Sequence, residues 1–265
     1  MVNTIIFDVK EGILNIKRKS GWMTRPDIII KLLVNFISVY KIKELSETII
    51  DLNDIHKITL GSRKLAIGTD YTNKEYIMPD PHSLMWPELN IYNMFEKCKI
   101  ISEAGLIPPI YNRAFWIGQN CHPSRKALVE VSKQYPERIE ARFLEWPAGI
   151  VPKEHVTLED HTKYKYLIDC SGQGFSGRVK ILMHTHRLLF LLDRKYWDWL
   201  TMDIQPWIHY VPVNEDASDI IDKLDWADQN PDKVDIIIRN AYEYITSNWT
   251  IENIYKRLYK VLEIM

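Results

Sequence analysis

The sequence lacks the features that mark disulfide-rich, zinc-binding and nucleic-acid-binding proteins. Its 265 residues include only three cysteines, Cys98, Cys121 and Cys170. An odd number of cysteines at wide spacing is neither a disulfide framework nor a zinc-binding pattern. The 34 basic and 35 acidic side chains leave a formal net charge of −1. The chain therefore has no bulk electrostatic attraction to nucleic acid or to an anionic membrane.

Long apolar runs are also absent. Charged residues at positions 8, 10 and 11 interrupt the first apolar stretch, so it does not resemble a signal peptide. The most apolar window, 28–40, contains Lys31 and Asn35 and is too short to span a bilayer. We therefore expect no membrane span and a soluble protein in a reducing compartment. Because 46% of the residues are hydrophobic, the chain can build a sizeable core.

What the sequence does contain is an alternation of strand and helix patterns. Strands are predicted at 5–7, 13–16, 48–52, 65–67, 114–117, 139–144, 166–169 and 188–192, and helices at 26–37, 92–104, 124–134, 176–184, 218–229, 232–246 and 251–262. This alternation favours parallel sheets covered by helices on both faces. Pro108 and Pro109 mark a boundary between two such halves, which predicts two Rossmann-like lobes with a cleft between them. Ligands of open α/β sheets bind beyond the carboxyl ends of the strands.

A glycine-rich loop follows the strand predicted at 166–169. Gly172, Gly174 and Gly177 match the spacing of the dinucleotide fingerprint, and Asp193 follows the next strand, where a ribose-binding acid would lie. This match favours an NAD(P)-dependent oxidoreductase as one hypothesis. The fingerprint usually opens a nucleotide-binding domain, however, whereas here a strand–helix–strand unit already precedes it.

Two basic residues, Arg178 and Lys180, lie at the start of the helix predicted after this loop. Glycines let the backbone approach a phosphate, and a helix N-terminus offers free N–H groups and a positive dipole end. A cation at that end opposes the dipole, so its presence favours a bound anion. The alternative is a tight turn with two solvated basic side chains.

Several longer segments resemble one enzyme family. They are KYKYLID at 163–169, FSGRVK at 175–180 and QPWIHYVPVNEDASDIIDKLDWADQN at 205–230. Their order and spacing are similar to those of glycosyltransferase family 90, which includes Rumi-type protein O-glucosyltransferases, fungal capsule-associated proteins and bacterial lipopolysaccharide glycosyltransferases. Weaker resemblance covers 114–118, 123–125 and 77–90. Ile117 and Gln119 stand where many members have arginine and serine.

The resemblance implies a GT-B type fold and an inverting transferase that needs no metal. It implies an acceptor-side lobe at 1–107, a nucleotide-sugar-binding lobe at 108–248 and a terminal helix at 249–265 that packs back across the lobes. The donor would be a UDP-sugar, with xylose or glucose as the sugar, and the acceptor a hydroxyl of a glycan or protein. No cofactor is expected. Eukaryotic members of the family are lumenal, so the lack of a signal-peptide pattern here favours a cytoplasmic enzyme of the bacterial or viral type.

The resemblance also implies a set of site residues. Arg178 is the first choice for holding the donor diphosphate. The donor-binding residues expected are Gly118, Gln119, Arg125, Gly174, Phe175, Ser176, Gly177, Arg178, Asp216 and Ser218. Asp216 and Ser218 could instead cap the next helix, because Asp and Ser are strong N-cap residues.

An inverting transfer needs a base that takes the proton of the acceptor hydroxyl. Asp80, in the Pro79–Pro81 loop, is the first candidate and Glu75 is its rival. Asp80 could also do no more than organise a turn. His82 and Trp86 are expected on the acceptor or sugar side.

Two alternatives to an active transferase remain beside these expectations. One is a glycan- or nucleotide-binding member of the family that has lost turnover, which the altered residues Ile117 and Gln119 suggest. The other is the oxidoreductase. A metal site at His184 and His186 is not expected, since residues two apart do not share a helix face.

Overall fold

A computed structural model describes residues 3–53, 64–72, 74–145 and 154–263. The backbone divides into two compact units. The first unit takes the residues up to Met94, from Tyr196 to Met202 and from Trp249 onward, and the second takes Phe95–Lys195 and Asp203–Asn248. Residues 95–107 and 196–202 therefore group differently from the continuous lobes predicted at 1–107 and 108–248.

The first unit contains a four-stranded sheet and two long helices. Its elements are β1 (Thr4–Lys10), β2 (Ile13–Lys19), α1 (Arg25–Tyr40), β3 (Leu45–Asp51) and β4 (Lys64–Ala66), with the last helix of the chain, Ile251–Glu263, added from the far end of the sequence. The strand order is β2-β1-β3-β4. This sheet is mixed, because β1 runs antiparallel to both neighbours while β3 and β4 are parallel.

A tight hairpin explains why the first sheet is not parallel throughout. Only Glu11 and Gly12 separate the two strands, with φ angles of 51° and 80°. Two central residues at positive φ form the turn that matches the twist of antiparallel strands. A connection of two residues cannot join parallel strands. The predicted hairpin is thus confirmed, and the expectation of parallel sheets is wrong for this unit.

The second unit is an α/β domain with a fully parallel sheet. Its elements in chain order are α2 (Met94–Gly105), β5 (Tyr111–Gly118), α3 (Pro123–Gln134), β6 (Ile139–Phe143), β7 (Tyr164–Asp169), α4 (Val179–Leu182), β8 (Leu188–Leu192), β9 (Val211–Val213), α5 (Ile220–Gln229) and α6 (Pro231–Asn248). The strand order is β6-β5-β7-β8-β9, and every pair is parallel. The final helix, Ile251–Glu263, is α7. The predicted α/β class is confirmed.

Strand order gives this sheet one topological switch point. The chain leaves β5 toward β6 on one side and then returns past β5 to β7 on the other. Crossovers that diverge in this way open a crevice at the carboxyl ends of the two central strands, where ligands of doubly wound sheets bind. All five residues of β8 are buried, so the sheet is covered on both faces.

Two elements of the second unit differ from the sequence prediction. The helix expected at 176–184 contains only four residues, and β9 was not predicted. Thr185 Oγ donates to the carbonyl of Leu182, and His186 has a φ of 52°, so the backbone turns away after one helical turn. Among the described residues no helix is long and apolar enough to cross a membrane.

Candidate functional site

Asp169 lies at the switch point, at the carboxyl end of β7. Its side chain is fully buried. One carboxylate oxygen accepts from Arg178 Nη2 at 3.0 Å and from Ser176 Oγ at 3.1 Å, and the other accepts from Arg194 Nη1 at 2.9 Å. A single buried carboxylate therefore holds two guanidinium groups, one from the loop after β7 and one from the segment after β8.

Arg178 spans the carboxyl ends of both central strands. While Nη2 binds Asp169, Nη1 donates to the main-chain carbonyl of Ile117 in β5 at 2.6 Å. The side chain is 16% exposed, so part of it still reaches solvent. Since α4 has only four residues, a strong helix dipole is not available here. The positive charge of Arg178 itself is what an anion would meet.

Arg125 brings a third guanidinium to the same edge of the sheet from α3. Nε donates to the carbonyl of Ser171 at 2.6 Å and Nη1 to the carbonyl of Gln119 at 3.0 Å. Burial lowers the pKa of Arg125, and the nearby charge of Arg178 lowers it further. The two arginines thus repel each other across the crevice.

The cluster as a whole is positively charged. Burial alone would raise the pKa of Asp169, but Arg178 and Arg194 outweigh it and hold that pKa below its ordinary value. Asp169 is therefore an anion among three cations, Arg125, Arg178 and Arg194. Partly buried positive charge in excess is costly unless an anion compensates it. Guanidinium groups bind phosphate oxygens with strong, directed hydrogen bonds.

Gly118, at the end of β5, is placed where no side chain fits. A Cβ atom there would lie 2.8 Å from Cζ2 of Trp116 and 3.4 Å from Nη1 of Arg125. Glycine therefore lets the strand end pack against both groups. Gly172 is less crowded, since its nearest neighbour would be the carbonyl oxygen of Phe175 at 3.5 Å.

The remaining donor-side residues lie in two loops of the second unit. Gly174, Phe175 and Gly177 belong to the loop between β7 and α4, where Phe175 is buried and the ammonium of Lys180 lies 5.9 Å from its ring. Asp216 follows β9 and accepts from the backbone N–H of Ser218 at 3.0 Å. This bond, together with that from the Ser218 hydroxyl, lowers the pKa of Asp216. Their observed geometry is that of a turn before α5, which begins at Ile220.

Asp80 lies in the first unit and organises a tight turn. It caps the 3₁₀ helix Pro81–Ser83, accepting from the backbone N–H of His82 at 3.0 Å and from the hydroxyl of Ser83 at 2.8 Å. Its side chain is fully buried. The same Ser83 hydroxyl accepts from Trp199 Nε1 at 3.1 Å, which ties the turn to the core of the unit.

The other three residues expected near the acceptor also belong to the first unit. Glu75 is exposed, on the 3₁₀ helix Lys74–Tyr76. The His82 ring lies 4.3 Å from the ring of Trp86, and its Nδ1 is 3.5 Å from Oδ1 of Asp80. Asp80, His82 and Trp86 are therefore neighbours, and Glu75 occupies a more exposed position.

Sequence reasoning missed Asp169 and Arg194. Asp169 was available as an acid at the end of a predicted strand, which is where α/β sheets place site residues. Arg194 follows β8 by two residues and carried no such signal. Only the parallel pairing of β7 with β8 brings the two together.

His184 and His186, the two histidines considered for a metal site, have the contacts of structural residues. Burial lowers the pKa of His184 to about 4. His186 Nε2 lies 2.9 Å from the hydroxyl of Ser102, and its ring packs 4.2 Å from that of Tyr242. Across the described ranges, no group of three or more His, Cys, Asp or Glu side chains is arranged to hold a metal ion.

A family model, Glycosyl transferase family 90, matches residues 67–264, which is most of the chain. The chain belongs to glycosyltransferase family 90. The matched region includes the three-arginine cluster and the Asp80 turn. The resemblance that the sequence segments suggested is confirmed.

Curated relatives in this family are similar at low identity. Protein O-glucosyltransferase 1 of Rattus norvegicus is 28% identical over 149 residues, which are 53% of this chain and 38% of the rat protein. Protein O-glucosyltransferase 3 of Homo sapiens is 27% identical over 157 residues, 57% of this chain and 31% of the human protein. The O-glucosyltransferase rumi homolog of Aedes aegypti is 26% identical over 152 residues, 54% of this chain and 38% of the mosquito protein. The match thus spans well under half the length of these relatives.

Two solved structures show a distant likeness to this chain. HepE of Anabaena, solved in complex with UDP-glucose, has a TM-score of 0.40 at 11% identity, covering 69% of this chain and 47% of HepE. The pneumococcal O-GlcNAc transferase GtfA, solved with UDP and GlcNAc, has a TM-score of 0.37 at 14% identity, covering 60% of this chain and 38% of GtfA.

Proposed function

We propose that this family 90 protein transfers a sugar from a UDP-sugar to a hydroxyl group of a glycan or protein. The observation that carries the proposal is the placement of Arg125, Arg178 and Arg194 around the single carboxylate of Asp169 at the switch point. This arrangement leaves net positive charge where a doubly wound sheet binds its ligand. The diphosphate of a sugar nucleotide has the charge and the oxygen geometry that guanidinium groups recognise.

In this mechanism the arginines stabilise the leaving diphosphate. Charge develops on the β-phosphate as the bond to the sugar breaks, and donors already in place stabilise that charge without reorganising. Arg178 is the residue best placed for this role, since both its Nη groups are fixed and its side chain still reaches solvent. With arginine in this position the reaction proceeds without a divalent cation.

Attack by the acceptor hydroxyl on the opposite face of the sugar inverts the anomeric centre. A carboxylate must take the hydroxyl proton, and Asp80 is assigned this role ahead of Glu75. Glucose is the sugar we favour over xylose, because the curated relatives are named as O-glucosyltransferases. Xylose differs by one hydroxymethyl group, so a small change in the pocket would suffice to admit it.

Donor screening tests this function directly. Purified protein is titrated by calorimetry with UDP, ADP, UDP-glucose, UDP-xylose and NAD, and UDP release is followed with each sugar nucleotide plus a hydroxyl acceptor. We expect UDP and UDP-glucose to bind and ADP and NAD not to bind. Selective binding of NAD would replace the proposal with an oxidoreductase.

Metal dependence is tested in the same assay with EDTA. We expect EDTA to leave UDP release unchanged. If EDTA abolishes UDP release and manganese restores it, the arginine mechanism is refuted.

A second function, binding without turnover, is favoured by one observation. Both oxygens of Asp80 accept hydrogen bonds inside its own turn, and the side chain is fully buried. A carboxylate held in this way organises structure and is poorly placed to take a proton from a substrate. The two functions separate in the same assay, because a binding module would bind UDP-glucose and release no UDP with any acceptor.

A further inference from the structure

Arg194 is the most completely buried charged partner of the site. Only 1% of its side chain is exposed, so it cannot itself meet a ligand in the way Arg178 can. Its Nη1 binds the carboxylate of Asp169 at 2.9 Å, its Nη2 binds the main-chain carbonyl of the same residue at 2.7 Å, and its Nε binds the carbonyl of Leu192 at 3.2 Å. Arg194 therefore fixes both the backbone and the side chain of Asp169.

This contact controls how Asp169 meets Arg178. A carboxylate and a guanidinium that face each other alone form two parallel hydrogen bonds. Here Arg194 occupies the second oxygen of Asp169, so Arg178 makes one bond to the carboxylate and turns its other Nη to the carbonyl of Ile117. Without Arg194, the second oxygen becomes available to Arg178, and Asp169 with the guanidinium groups bound to it changes from net positive to neutral.

We propose that Arg194 is a positioning residue that acts through Asp169 to keep the guanidinium of Arg178 oriented toward a bound diphosphate. The inference rests on the proposed function, because the ligand it names is the donor diphosphate. Arg194 supplies no contact to that ligand. It supplies the second positive charge and occupies the carboxylate oxygen that would otherwise draw Arg178 away.

The test compares Arg194→Gln, Arg194→Lys and Arg178→Ala with the unaltered protein. UDP and uridine are the two probes, since uridine has the base and ribose without phosphate. We expect Arg194→Gln to lower UDP affinity roughly 10-fold and to leave uridine affinity unchanged, with Arg194→Lys intermediate. In the Arg178→Ala background, Arg194→Gln should have almost no further effect on UDP, since residues that act through one another are not additive.

A second readout does not depend on any ligand. The Nε–Hε NMR signal of Arg178, assigned with Arg178→Lys, reports the orientation and rigidity of its guanidinium. We expect this signal to shift and to broaden in Arg194→Gln. An unchanged Arg178 signal overturns the positioning role, as does an equal loss of UDP and uridine affinity, which a purely structural role would cause.

Failure of the proposed function and failure of the positioning role of Arg194 can be distinguished. If the unaltered protein binds no UDP, the proposed function fails, while the NMR signal still decides whether Arg194 orients Arg178. If Arg194→Gln does not fold, Arg194→Lys keeps the charge but cannot reproduce all three hydrogen bonds of the guanidinium group. An Arg178 signal in Arg194→Lys identical to that of the unaltered protein, with UDP affinity also unchanged, then overturns the inference.

Discussion

Arg178 and Ile117 are joined by a 2.6 Å hydrogen bond between a guanidinium Nη and a main-chain carbonyl, across 61 residues of sequence. The carbonyl group that accepts this hydrogen bond belongs to the next-to-last residue of β5, which ends at Gly118. This bond fixes an arginine of the β7–α4 loop to the neighbouring strand. The position of the Arg178 guanidinium is therefore set by the sheet, which is more rigid than the loop that carries this residue.

Arg178→Ala should therefore weaken UDP binding strongly. A hydrogen bond to a charged group contributes about 1.5–3 kcal/mol, or roughly 10- to 150-fold in affinity. Calorimetric titration with UDP measures the change. Arg113→Ala is the matched control, because Arg113 is also an ion-paired arginine, bound to Glu140, and lies in β5, the strand of Ile117. UDP affinity of Arg178→Ala within twofold of the unaltered protein would remove Arg178 from the donor site.

Two glycines of the site should respond differently to alanine. A Cβ at Gly118 would overlap Trp116 at 2.8 Å, whereas one at Gly172 would make ordinary contacts from 3.5 Å. Overpacking of a tight position typically costs about 1–3 kcal/mol. We expect Gly118→Ala to lower the unfolding free energy by that amount and Gly172→Ala to change it little, as measured by urea denaturation. Equal effects would show that the strand end has room to adjust.

Asp80→Asn and Glu75→Gln separate the candidate bases. Loss of the base should lower kcat by about 10²- to 10⁴-fold while UDP affinity persists. We expect this for Asp80→Asn, and near-normal kcat for Glu75→Gln. The reverse result would transfer the role to Glu75, and activity in both variants would place the base elsewhere.

Ser83→Ala is the control for the structural role of Asp80. It removes the hydroxyl that donates to Asp80 at 2.8 Å and leaves the carboxylate in place. If Asp80 only organises the turn, Asp80→Asn and Ser83→Ala will lower the melting temperature alike. Neither variant will then change kcat by more than a few-fold.

Because two of its histidines are buried, we expect the second unit to be less stable to unfolding at acidic pH. Burial lowers the pKa of His161 to about 4, assisted by the charge of Arg178, and lowers that of His184 to about 4. The ordinary value is about 6.5. Because the folded pKa lies below the unfolded one, the unfolded chain binds more protons between pH 4 and pH 6.5. The free energy of unfolding should therefore fall as the pH drops through that window.

Each histidine should lower the free energy of unfolding by on the order of 3 kcal/mol when the pH falls through the whole range between its unfolded and folded pKa values. Urea denaturation at pH 7, 6, 5 and 4.5 measures the slope. His184→Phe keeps an aromatic ring against Tyr242, 6.1 Å away in the native pair, and should reduce the slope by about one proton. A slope unaltered by His184→Phe would show that this histidine is protonated in the folded state.

Much of the second unit was predictable from periodicity. The predicted strand 188–192 has the bounds of β8, and the predicted helix 124–134 differs from α3 only by Pro123. Both segments have uninterrupted patterns, and Pro136 and Asp193 follow them closely. The strand β9 was missed because Val211, Pro212 and Val213 form too short a run, and a proline argues against a strand.

The geometry of the site was less accessible to sequence reasoning. Arg178 could be identified from its place after the glycine loop, but its bonds to Ile117 and Asp169 depend on which strands are neighbours. Arg194 is 25 residues from Asp169 and belongs to no local pattern. The order of strands in a sheet is a tertiary property, so residues that meet across it cannot be paired from spacing alone.

The discontinuous first unit has a consequence for how the chain acquires its structure during synthesis. That unit includes α7, whose buried residues Ile254, Leu258 and Val261 follow the whole of the second unit in sequence. Contacts between segments so far apart form late, since a long intervening loop must close first. The second unit spans one nearly continuous stretch and can fold as it leaves the ribosome. The hairpin and α1 are made before α7, and their own core is complete only when α7 has been made. Until then their apolar surface is the part of this unit that a chaperone would bind.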